Sequence, residues 1–151
     1  MYRAAVALSG AIPTPVLRKA NLPKVPVISI VDDDQSVREA TSALVRSLGF
    51  TAVTFASAED FLGSGRLDET SCLITDLQMP GLNGDELQSR LIAQGCRMPV
   101  ICVTAFPETK VRARMLEAGA VGFLSKPFNE ECLVSCLTTA LQGYNDLSIE
   151  H

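Results

Sequence analysis

From Val25 onward the sequence alternates short apolar runs with segments of helical period, and no other feature restricts its folding so strongly. The strand-sized runs are Pro26–Val31, Thr51–Phe55, Ser71–Thr75, Pro99–Val103 and Gly122–Leu124. Helical segments follow at Gln35–Leu48, Ala58–Leu62, Asp85–Gln94, Thr109–Ala118 and Glu130–Leu141; in the first, Val37, Ala40, Leu44, Val45 and Leu48 share one stripe. Runs that are mostly apolar belong to strands buried on both faces. Such strands form a parallel sheet with crossover helices on either side, an α/β fold. Gly49, Gly95 and Gly119 stand where three of the helices should end in left-handed caps, and Ser57 with Asp60 resembles a variant capping box.

The remaining sequence bounds the domain. Residues 1–24 carry Pro13, Pro15 and Pro23 without sustained periodicity and read as a flexible N-terminal extension; 25–142 form the domain and 143–151 a C-terminal tail. At 151 residues the chain holds one well-buried core. A net charge of -4 and a pI near 5.0 argue against direct binding to nucleic acid, which depends on attraction to phosphate. No apolar run approaches the roughly 20 residues of a membrane helix. The alanine-rich start is interrupted by Ser9 and Gly10, so a signal peptide is not expected and a cytoplasmic location is. Five cysteines without a CxxC pair favour neither a disulfide framework nor a zinc site; they read as small hydrophobes in a reducing compartment.

The chemistry-bearing residues gather at the carboxyl ends of the expected strands, where open α/β sheets bind ligands. Asp32, Asp33 and Asp34 follow the first strand, Asp76 the third, Thr104 the fourth, and Lys126 with Pro127 the fifth. Asp32, Asp33 and Asp76 held together need a hard divalent cation, and Mg²⁺ with retained waters is the natural one. Mg²⁺, the Lys126 ammonium and the Thr104 hydroxyl could then stabilise a phosphoryl group attacked by a carboxylate. Asp34, directly before a helix, reads as its cap. Taken singly, Thr104 could be a solvated strand end, Lys126 a surface charge and Phe123 a core aromatic. Glu108, Lys110, Arg112, Arg114 and Glu117 could form a solvated helix face or a partner surface.

Val-Asp-Asp-Asp at 31–34, Asp-Leu-Gln-Met-Pro-Gly at 76–81, Val-Thr-Ala at 103–105 and Lys-Pro-Phe at 126–128 resemble response-regulator receiver domains of the CheY-like superfamily. Ser-Ala-Glu-Asp-Phe-Leu at 57–62 and Ala-Gly-Ala-Val-Gly-Phe-Leu-Ser-Lys-Pro-Phe at 118–128 make the nitrogen-fixation regulator (FixJ-like) type the nearest. The resemblance covers about residues 25–142 and implies a five-stranded parallel sheet of flavodoxin-like order 2-1-3-4-5, with five helices on both faces. It implies that Asp76 is the phosphoacceptor, Asp33 a direct Mg²⁺ ligand, Asp32 a ligand through water, and the Gln78 carbonyl a further ligand. Lys126 would pair with Asp76 and then with the phosphoryl oxygens, Thr104 and Phe123 would form the switch pair, and Pro127 would follow a cis peptide bond.

The function so implied is that of a phosphorelay module of a two-component system, not an enzyme beyond its own phosphorylation and dephosphorylation. Its partners would be a sensor histidine kinase or histidine phosphotransfer protein, and a downstream protein or a second copy of the chain. The few residues after the last expected helix leave no room for an attached output module, so output is expected as a protein contact around residues 108–141. A haloacid-dehalogenase-like phosphotransferase or phosphatase is the enzymatic alternative, but it would need an acid where Gln78 stands. A flavodoxin-like nucleotide or flavin binder would need a glycine-rich phosphate loop after the first strand, which is missing.

Overall fold

The computed structural model describes the backbone of residues 25–149 and the side chains of 25–142; the expected N-terminal extension, 1–24, lies outside the described residues. Strands β1 (Val27–Val31), β2 (Thr51–Phe55), β3 (Cys72–Asp76), β4 (Val100–Thr104) and β5 (Gly122–Ser125) alternate with helices α1 (Gln35–Ser47), α2 (Ala58–Leu62), α3 (Gly84–Ala93), α4 (Thr109–Glu117) and α5 (Glu130–Ile149). A 3₁₀ turn at Leu67–Glu69 precedes β3. All neighbouring strands are parallel, in the order β2-β1-β3-β4-β5.

The period of two along each strand sends alternate side chains to opposite layers. Ile28, Ile30, Cys72, Ile74, Ile101 and Val103 pack with Val45 of α1 and Leu133 and Leu137 of α5. Val31, Leu73, Val100 and Cys102 face the other way, toward Phe61 of α2, Leu87 and Leu91 of α3, and Met115 of α4. The three central strands, β1, β3 and β4, are therefore covered on both faces, which is why their sequences are mostly apolar.

Local signals set the helix ends. The Asp34 side chain accepts the amides of Ser36 and Val37 at 2.9 and 3.2 Å, as expected of a cap, and Ser57 Oγ accepts the Asp60 amide at 3.0 Å. Gly49, Gly95 and Gly119 all lie at positive φ. Helices α1, α3 and α4 stop one residue earlier than the sequence reading, at Ser47, Ala93 and Glu117, and two further ends differ. α3 begins at Gly84 instead of Asp85, fixed by the Asn83 amide donating to Glu86 Oε1 at 2.9 Å. α5 runs to Ile149 instead of ending at Leu141, because Gly143 interrupts nothing: a glycine inside a helix costs only about 1 kcal/mol, and no proline follows.

Candidate functional site

Strand register assembles the site. Val31 pairs with Thr75, so Asp32, one residue beyond, stands beside Asp76. Asp76 pairs with Val103 and Thr104 with Ser125, which sets Thr104 one step further out and Lys126 immediately after its neighbour. β3 and β4 each begin and end one residue later than expected, so Asp76 and Thr104 are the last residues of their strands and are buried.

Ligand oxygens of Asp32, Asp33 and Asp76 all lie within 4.8 Å of one another. Asp33 is exposed; Asp32 and Asp76 are buried. Asp32 Oδ1 accepts the Asp34 amide at 2.9 Å, while Oδ2 meets Lys126 Nζ at 3.0 Å. Lys126 Nζ also lies 3.4 Å from Asp76 Oδ2, and Asp76 Oδ1 accepts the Leu77 amide at 2.9 Å. Lys126 thus bridges two carboxylates, and Asp32 is the nearer one. The contact with Asp32 is additional to the pairing with Asp76 that the resemblance implied. The Lys126–Pro127 peptide is cis.

Burial raises the Asp76 pKa; Asp32 adds to the rise and Lys126 opposes it. Burial disfavours the Lys126 ammonium, but the hydrogen bond to Asp32 and the charges of Asp32 and Asp76 outweigh it and hold its pKa above the ordinary value. Three carboxylates against one ammonium leave the cluster short of positive charge. Mg²⁺–oxygen distances of about 2.1 Å put opposite ligands about 4.2 Å apart, close to the 4.8 Å within which these oxygens lie, so the residues present suit such an ion.

Other expectations land as follows. Thr104 Oγ1 accepts the Phe106 amide at 3.1 Å and is fully buried, so it is not a solvated strand end. Phe123 is half-buried against the cluster containing Met115 and Cys102. Gln78 is exposed on the loop leaving Asp76, and its carboxamide cannot supply the proton that a dehalogenase-like enzyme needs there. All five cysteines are free thiols, with burial pushing Cys72 and Cys102 up to about 12.

Three participants had no signal in the sequence. Arg38 Nη1 donates to the Asp32 carbonyl at 2.6 Å and fixes the turn between β1 and α1. Gly84 lets the start of α3 approach the acceptor: a Cβ there would sit 2.5 Å from the Asp76 carbonyl oxygen. Glu59 reaches from α2 to the Leu82 amide at 3.0 Å. A glycine and a glutamate at helix starts have bland readings that no local pattern separates from these roles.

A doubly wound sheet whose carboxyl edge gathers acids around one lysine defines the receiver class of signalling domains. The chain belongs to the response regulator receiver domain family, whose profile matches residues 28–138. It is 40% identical over 116 residues to the response regulator protein TmoT of Ectopseudomonas mendocina, covering 77% of this chain and 53% of that protein. It is 33% identical over 114 residues to the transcriptional regulatory protein FixJ of Azorhizobium caulinodans, covering 76% and 54%. The chain spans about half the length of the curated relatives it matches. Among solved structures, the response regulator StyR superposes with a TM-score of 0.74 at 39% identity, over 84% of this chain and 65% of that one. The FixJ-N crystal structure gives 0.70 at 29%, over 78% and 94%. The dehalogenase-like alternative finds no support in these matches. Among the described residues no helix is long and apolar enough to cross a membrane.

Proposed function

We propose that this receiver accepts a phosphoryl group on Asp76 with Mg²⁺ bound at Asp32, Asp33, Asp76 and the Gln78 carbonyl. The observation that carries the reading is the convergence of three carboxylates and Lys126 at one sheet edge. An Asp76 carboxylate oxygen forms the new bond to phosphorus, while the bond to the donor's nitrogen or oxygen breaks and the donor leaves with its electron pair. Lys126 orients Asp76 beforehand and turns to the phosphoryl oxygens as charge grows there; the Thr104 hydroxyl donates to another of them. Held by Asp32, Asp33, Asp76 and the Gln78 carbonyl, Mg²⁺ would supply neutralisation of the charge growing on the transferring group. Thr104 and Phe123 then act as the switch pair.

The donor is a sensor histidine kinase or a histidine phosphotransfer protein. In support, an apolar groove of about 600 Å³ opens beside Lys126, between Val37, Ala40 and Leu44 of α1 and Pro127 and Phe128. A histidine-bearing helix lying there would bring its ring to the acid cluster. The phosphorylated domain signals from the cytoplasm through a protein contact, to a downstream partner or a second copy of the chain. Its own chemistry is limited to taking up and losing the phosphoryl group.

Acetyl phosphate and Mg²⁺ should give an acid-stable, base-labile label on the wild-type protein and none on Asp76→Asn. An equal label on the variant would remove Asp76 from the mechanism.

A further inference from the structure

The loop of residues 78–82 carries the carbonyl expected to complete the metal shell, yet little holds it in place. Its start is fixed by the Leu77 amide, which donates to Val103 O at 3.0 Å and to Asp76 Oδ1 at 2.9 Å. Its end is fixed where the Gly84 amide returns to the Leu77 carbonyl at 2.8 Å. Between these points the Met79 amide makes only a long bond, 3.4 Å, to Asn83 Oδ1 at the foot of α3. The Leu82 amide alone donates elsewhere, to Glu59 Oε2 at 3.0 Å, the one hydrogen bond among the described residues that ties this loop to a different part of the chain.

Glu59 is well placed to act as a strut. Its helix is short but anchored: Ala58 and Phe61 are fully buried in the cluster that also holds Leu77 and Met79, and the Phe61 ring meets Phe55 edge-on at 5.2 Å. Its carboxylate also lies against Gly81, where a Cβ would collide with Oε2 and approach Cδ to 3.1 Å. Gly81 has φ +80, so this residue both permits the turn and leaves room for the carboxylate. No cation lies within ion-pair distance of Glu59 among the described residues, so the loop amide is what orients it.

We propose that Glu59 is a positioning residue for the metal site, holding the 78–82 loop through Leu82 and Gly81 so that the Gln78 carbonyl faces the carboxylate cluster. The proposal rests on the assignment of Mg²⁺ to Asp32, Asp33, Asp76 and Gln78. Groups that orient metal ligands from behind commonly change affinity by about 10–100-fold when removed. A glutamine at this position keeps an oxygen that can accept the Leu82 amide, whereas alanine does not.

The test is titration with Mn²⁺, a hard ion of similar ligand preference, followed through the EPR signal of the free ion. Glu59→Ala should bind about tenfold more weakly than wild type. Glu59→Gln should stay within about twofold of wild type, since positioning and not charge is at issue. Wild-type affinity in Glu59→Ala would overturn the proposal, and so would a Glu59→Gln loss as large as that of alanine. Asp33→Ala separates the two levels: if it binds Mn²⁺ like wild type, the metal assignment fails, whereas its loss alongside an unaffected Glu59→Ala sinks only the role of Glu59.

Discussion

Lys126 is held more closely by Asp32 than by Asp76: its Nζ lies 3.0 Å from Asp32 Oδ2 and 3.4 Å from Asp76 Oδ2. In the metal-free protein this ammonium is the cation that offsets the buried acids. Removing it should leave Asp32 and Asp76 facing each other uncompensated, at a cost of about 1–3 kcal/mol in stability, below the value for a fully buried pair because Lys126 is partly exposed. Lys126→Met should therefore lower the Tm without Mg²⁺ by more than it does at saturating Mg²⁺. Equal losses in the two conditions would show that charge compensation is not the role of Lys126.

The raised Asp76 pKa gives a second expectation. A carboxyl whose folded pKa lies above its unfolded value favours the fold fully only below the unfolded value, about 3.9, and loses that contribution as pH rises through the folded one. Asp76→Asn removes the charge, so without metal it should be more stable than wild type at neutral pH, by a few degrees in Tm. The advantage should shrink as pH falls toward the ordinary carboxyl range. Thermal scans from pH 3.5 to 7.5 without metal would check this; a pH-independent difference would contradict the burial argument.

Much of this site was legible because its acids, Thr104 and Lys126 end a strand or closely follow one, and strands of this apolarity are easily located. Parallel register then turned four separate motifs into neighbours. What stayed hidden depends on approaches across the fold. Gly84 matters because Asp76 O occupies the space of its missing Cβ, and Glu59 because Leu82, 23 residues away, offers its amide. Lys126 follows β5 as the sequence order gives, but its nearer approach to Asp32 rests on side-chain reach that register alone does not give. The length of α5 was misjudged for a simpler reason: Gly143, just past the expected end, costs a helix only about 1 kcal/mol, and no proline follows to stop it.

The two neighbouring acids at the end of β1 should behave differently. Asp33 is exposed and no ion pair holds it among the described residues, whereas both oxygens of Asp32 are engaged, by the Asp34 amide and by Lys126. Asp33 is thus the freer to enter a metal shell directly. Asp33→Ala should weaken Mg²⁺ binding by about tenfold or more, and Asp32→Ala by less. Calorimetric titration decides the order; an Asp32→Ala loss larger than that of Asp33→Ala would reverse the assignment of direct and water-mediated ligands.

Phosphorylation should be felt first in the segment after β4. The Phe106 amide now rests on Thr104 Oγ1 at 3.1 Å, and Phe106 itself is 67% exposed, the most exposed large hydrophobic residue among those described. Drawing the Thr104 hydroxyl toward a phosphoryl group on Asp76 would weaken that bond and free residues 105–108 to move. α4, which follows, is held to α3 by the Asp85–Arg114 pair at 3.1 Å and by Gln88 Nε2 donating to Met115 O at 3.0 Å, so the start of α4 can shift more easily than its end. Phe123 lies in the same layer as Met115 and can turn into space so opened. A difference of only a few kcal/mol between two arrangements changes a partner's affinity strongly. Hydrogen exchange with and without beryllofluoride should therefore show changed protection across 105–117 and 122–125, within a face reaching to about residue 141. Changes confined to residues 32–34, 76–82 and 126, with the rest unaltered, would sink the idea that this face reports phosphorylation.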